Sequence, residues 1–108
     1  MDLDAEIQAE LDLAEAARAA GNEGRARVRA RRAAGMAARR YFIRKGLHPG
    51  SSSAYSLLNT LAEIPGLDRQ IRRAARDLTR QVDPDFHLPT GMDLIAEARE
   101  LCNQLSSL

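Results

Sequence analysis

Cysteine occurs once in this chain, at Cys102, tryptophan is absent, and tyrosine and phenylalanine occur twice each. A single cysteine excludes an internal disulfide, and its place on the apolar stripe of a helical segment marks it as a buried structural thiol. The scarcity of aromatics leaves few surfaces on which bases could stack. No apolar run approaches the roughly 20 residues that span a bilayer. The start of the chain carries Asp2, Asp4 and Glu6 where a secretory leader needs basic and then apolar residues. The expectation is a cytoplasmic protein that makes no membrane contact. Its heavy use of Ala and Arg suggests a bacterial source.

Ligand motifs are missing as well. His48, His87 and Cys102 show no paired metal-binding spacing, so neither a metal nor a cofactor is expected. There is no phosphate-cradling G-x-x-x-x-G-K-[ST] loop and no G-x-S-x-G nucleophile turn. The period-2 alternation of strands appears nowhere.

What the chain does have is charge, unevenly spread. The formal net charge is +1 over 108 residues, a single-domain length. Residues 1–20 hold six acids and Arg18, residues 22–48 hold nine bases and one acid, and residues 83–108 hold five acids and Arg99. Two readings follow. The acidic first and last segments neutralise the basic second one, or part of the basic stretch remains as an anion-binding stripe.

Hydrophobic spacing predicts an all-α antiparallel bundle, with four main helices and a C-terminal fifth. The first helix is expected from about Leu3 to Ala20, with Gly21 as its stop and Asn22 as the cap of the second. The second runs from Asn22 to Lys45. Ala26, Ala30, Ala33, Ala37 and Tyr41 form a narrow face of small residues, and Arg25, Arg29, Arg32 and Arg40 form a row beside it. Like charges at that spacing repel, so acids must face the row or solvent must screen it. This row is the candidate anion or nucleic-acid site. The near-zero net charge disfavours a dedicated duplex binder.

The third helix is expected over Ser53–Ile64, capped by a serine. In the fourth, Leu67, Ile71, Leu78 and Val82 lie on the buried seam. The capping-box pattern Thr90-x-x-Asp93 opens the last. An Ala-rich core buries little area per residue, so a homodimer is expected to add to it.

In its helix order, its alanine-lined second helix running into Tyr41-Phe42 and its Lys45-Gly46 stop, the chain resembles the HEPN (higher-eukaryote and prokaryote nucleotide-binding) family of small helical bundles. The resemblance implies a homodimeric interaction or nucleotide-binding module with a nucleotidyltransferase-type partner; the absence of a convincing catalytic cluster makes the expected module non-enzymatic, and the basic second helix by itself suits an acidic protein partner. Its alternative implication is a metal-independent ribonuclease or toxin–antitoxin component. The catalytic signature of such enzymes is an Arg followed, after four to six residues, by a His. Arg80 and His87 meet that spacing, whereas Arg44 and His48 are too close. The residue after Arg80 is Gln81, where active families usually place Asn, Asp or His. Were the pair active, His87 would transfer protons and Arg80 would stabilise phosphorane charge.

Overall fold

The computed structural model describes residues 4–50, 52–80 and 92–108. Five helices form, and no strand occurs among the described residues: α1 (Ala5–Ala19), α2 (Glu23–Arg44), α3 (Ala54–Ala62), α4 (Arg69–Thr79) and α5 (Leu94–Ser106). No helix among the described residues is long and apolar enough to cross a membrane.

Local chemistry accounts for the helix ends. Asn22 N–H donates to Ala17 O and Gly21 N–H to Arg18 O, with Gly21 at φ 80°. This Schellman closure of α1 needs a left-handed residue, which glycine supplies without strain. Asn22 then also caps α2, its side chain accepting from Arg25 N–H. One residue thus ends one helix and opens the next, which forces the antiparallel α1–α2 hairpin. Gly46 repeats the device at the end of α2, where Leu47 N–H reaches Phe42 O at 2.8 Å.

α2 is the axle. It packs against each of the other four helices, whereas α1 touches only α2 and α5. Its alanines explain how one helix serves four neighbours. Ala26, Ala30, Ala33, Ala34 and Ala38 have no exposed surface. Methyl-sized side chains let the partner axes approach closely on several sides. The alanine face is therefore consumed inside one copy of the chain. The larger core residues come from the neighbours: Leu11, Leu58, Leu61, Ile71, Leu78, and the α5 seam around Leu101 and Leu105. Cys102 lies among them with Sγ 3.6 Å from Ala33 O, and burial pushes its thiol up to about 12. That is the inert thiol expected.

Two boundaries differ from expectation. α4 ends at Thr79 rather than continuing towards Val82, which lies outside the described residues. The Thr79 hydroxyl donates back to Ala75 O and lies 3.1 Å from Arg76 O, and Arg80 is extended. α5 opens at Asp93, which is itself the cap, instead of at Thr90, also outside the described residues. A carboxylate satisfies orphan amides at least as well as a threonine hydroxyl. Asp93 Oδ1 accepts from Ile95 and Ala96 N–H at 3.1 Å each and from Arg18 at 2.9 Å. Partial burial pushes Asp93 up, but the Ala96 amide, Arg18 and the Ile95 amide more than offset this, leaving it below the usual carboxylate range. Asp93→Ala is expected to cost about 1 kcal/mol, read as a lower urea midpoint with an unchanged m-value. No change would mean that Arg18 and water replace the cap.

Candidate functional site

The arginines of α2, Arg27 apart, fall into three groups, with Arg32 shared between the first and the third. The first group faces α1. Arg29 and Arg32 reach Glu10 at 3.3 and 3.8 Å, and Arg40 reaches Asp4 at 3.0 Å and Glu6 at 3.5 Å. Hydrogen bonds from the Glu6 amide, and Arg40 close by, hold Asp4 below its ordinary value. The acids that must oppose the expected arginine row thus come from α1. Of that row, Arg25 makes no ion pair among the described residues and is exposed, and Arg32 keeps over half its side chain in solvent.

The second group caps neighbouring helices. Arg31 Nε donates to Leu78 O at 2.8 Å, at the end of α4, and Arg44 Nη2 to Leu105 O at 2.7 Å, at the end of α5. From α4, Arg76 does the same for Ala62 O at the end of α3. Each cation sits where the last carbonyls of a helix gather negative potential. Arg31 also lies 4.4 Å above the Tyr55 ring, holding the start of α3 against α2.

The third group looks outward. Val28, Arg32, Arg39 and Ile43 recur at helical spacing on the solvent side of α2. Beside them an open groove of about 410 Å³ runs between α2 and the start of α3, bounded by Arg31, Arg32, Arg39, Ser52 and Tyr55. Its floor is Gly35. A Cβ there would lie 2.8 Å from both Ala54 Cα and Cβ, so only a glycine lets the α3 backbone come this close. Two further depressions continue the groove, one of about 340 Å³ at Arg39, Ile43 and Leu47, the other of about 350 Å³ at Phe42, Leu47, His48, Leu57 and Ile64. No acid lines any of the three. Arg31, Arg39 and Tyr55 were not singled out from sequence as site residues. The signal available was the recurrence of Val28, Arg32, Arg39 and Ile43, which shares a helix with the more obvious arginine row.

A second cluster sits at the α4–α5 seam. Asp77 is buried, 3.6 Å from Arg80. Glu97 Oε2 is shielded from solvent and finds no donor. Burial pushes Glu97 up to about 7, and a hydrogen bond with Asp77 and that residue's charge push the same way; Arg73 and Arg80 oppose them without prevailing. A protonated Glu97 resolves the orphan atom, because a carboxylic acid donates where a carboxylate only accepts. Arg80, the expected catalytic arginine, is thus engaged with Asp77, and its expected partner His87 lies outside the described residues. Among the described residues no group of His, Cys, Asp and Glu is arranged to hold a metal ion.

No family model, curated protein or solved structure matches this chain.

Proposed function

We propose that the chain is a non-enzymatic, HEPN-like interaction or nucleotide-binding module whose working surface is the α2–α3 groove. One observation carries this: a groove rimmed by Arg32 and Arg39, floored by glycine, meeting a second depression at Arg39, with no acid lining either. Five of the eight arginines of α2 are matched to carboxylates or helix ends; Arg39 is matched to neither among the described residues, and it borders the groove. A cation left exposed among apolar neighbours suits an anionic partner.

Self-association across this face would set Arg32 and Arg39 against their own copies. The homodimer expected from the sequence is therefore assigned to another surface, where exposed Leu13 on α1 is the natural anchor. Light scattering should show a dimer that Leu13→Glu dissociates and Ile43→Asp does not; a monomer at every concentration removes the dimer.

The groove is tested by titrating the isotope-labelled protein with pyrophosphate, ATP, a short single-stranded oligonucleotide and a glutamate-rich helical peptide. Resonance shifts from at least one probe should cluster at Arg32, Arg39 and Tyr55. Silence from all four, or shifts confined to α1 and α5, would defeat the reading. So would RNA cleavage that both Arg80→Ala and His87→Ala abolish, since the chain would then be a ribonuclease.

A further inference from the structure

We infer that the α2–α3 groove is the docking surface for an acidic amphipathic helix of a partner protein, laid along α2. This rests on the groove being the working surface and names what occupies it.

The argument begins with spacing. Val28 to Ile43 spans about 22 Å of helix, or about four turns. Along it, two cations lie between apolar ends: Val28, then Arg32 and Arg39, then Ile43, with Leu47 just beyond the helix end. Val28, Ile43 and Leu47 are each about half exposed, at 51%, 56% and 50%, and Tyr55 extends the apolar surface from α3. A partner helix carrying apolar residues at i, i+4 and i+7 with carboxylates between them matches that order. Its apolar side chains would fill the depressions over Gly35, beside Ile43 and beside Leu47. Its carboxylates would meet Arg32 and Arg39, with the Arg fork suited to two-oxygen recognition.

Electrostatics separates this occupant from nucleic acid. Arg31 is already held by Leu78 O and Tyr55; Arg39 has no partner among the described residues, and Arg32, 3.8 Å from Glu10 but with over half its side chain in solvent, is the second cation this groove can share with a ligand. A phosphate backbone would use neither Val28 nor Ile43 nor Leu47, the exposed apolar part of this surface. A second copy of this chain fits no better. On its α1, Asp4 and Glu6 are paired with Arg40, Glu10 with Arg29 and Arg32, and Glu15 with Arg99; Asp12, exposed and without an ion pair among the described residues, is one carboxylate against two groove cations.

The test uses the whole chain and a fluorescent helical peptide of about 18 residues, the length of the rail plus flanks. The peptide carries Leu at i, i+4, i+7 and i+11 with Glu between them. A scrambled peptide of the same composition serves as control, and anisotropy reports binding. Saturable binding is expected for the patterned peptide alone, weaker in higher salt. Arg39→Glu and Ile43→Asp should each weaken it about tenfold or more, whereas Arg69→Glu on α4 should not. Thermal melts confirm that these exposed substitutions leave the fold intact, and shift mapping should place the peptide along α2 and α3. Equal binding of the scrambled peptide, or indifference to both groove variants, overturns the inference. If ATP or the oligonucleotide shifts the groove while neither peptide binds, the groove stays the working surface and the helical partner is wrong.

Discussion

Replacing Gly35 with valine is expected to destabilise the protein by about 2–3 kcal/mol, at the upper end of ordinary overpacking, and to lower the melting temperature by about 10 °C. Intrinsic propensity predicts the opposite, since a glycine inside an exposed helix costs about 1 kcal/mol relative to alanine. Contact geometry reverses the sign here. A Cβ on Gly35 would lie 2.8 Å from Ala54 Cα. That atom is backbone, so no rotamer change relieves the clash; the start of α3 must move. Moving it breaks the Arg31–Tyr55 stack and opens the groove floor. Gly35→Ala should fall in the same direction with smaller size, because the propensity gain offsets part of the clash. Gly24 provides the contrast. A Cβ there meets only Asn22 Oδ1 at 3.8 Å, so Gly24→Ala should stabilise by a few tenths to about 1 kcal/mol. Urea unfolding of the three variants checks the set. A neutral or stabilising Gly35→Val would show that α3 does not rest on α2 as described.

Stability should fall as pH rises from about 4.5 to about 7, and Glu97 is the reason. Its ordinary value of 4.5 applies in the unfolded chain, whereas the folded chain holds the proton to about 7. Between those limits the folded state binds more protons, so raising pH favours unfolding; above about 7 the effect is complete. The full linkage would be about 3 kcal/mol. Glu97 is only half-buried, and solvent screening reduces that to about 1–2 kcal/mol. Asp4 and Asp93, both held below their ordinary values, act oppositely: their contribution is present above pH 4 and is lost on further acidification. The two trends together predict a stability maximum near pH 4–5. Glu97→Gln keeps a donor towards Asp77 and removes the titration. The variant should gain about 1–2 kcal/mol at pH 8 and lose the decline between pH 5 and 7. A wild-type profile that is flat across that interval, or a Gln variant less stable at pH 8, would show that Glu97 is ionised in the folded protein.

The helices and their ends were largely legible in the residues. Gly21 and Asn22, Gly46, and the cap at Ser53 act through partners no more than five residues away in the chain, so their chemistry is visible without a fold. The inward positions of Leu57, Leu58 and Leu61, and of Leu101, Cys102 and Leu105, follow from helical period alone. The residues leave the start of α5 ambiguous, because Asp93 fits both the third position of a helix capped at Thr90 and a cap of its own. What decides between them includes Arg18, 75 residues away in sequence.

Which arginines pair with α1 and which face outward is not legible in the residues, and the cause is rotation. A row such as Arg25, Arg29, Arg32 and Arg40 shares a side of α2, but periodicity does not say which side meets α1. The alanine packing sets that angle. It turns Arg29 and Arg40 onto Glu10 and Asp4 and leaves Arg39 outward beside Ile43. Asp77 and Glu97 meet across two helices, and Gly35 owes its identity to Ala54. Short-range hydrogen bonding and periodicity therefore settle where helices begin, end and bury their stripes. Charge compensation and close approach depend on how helix faces are turned towards one another, and that exists only once the bundle is packed.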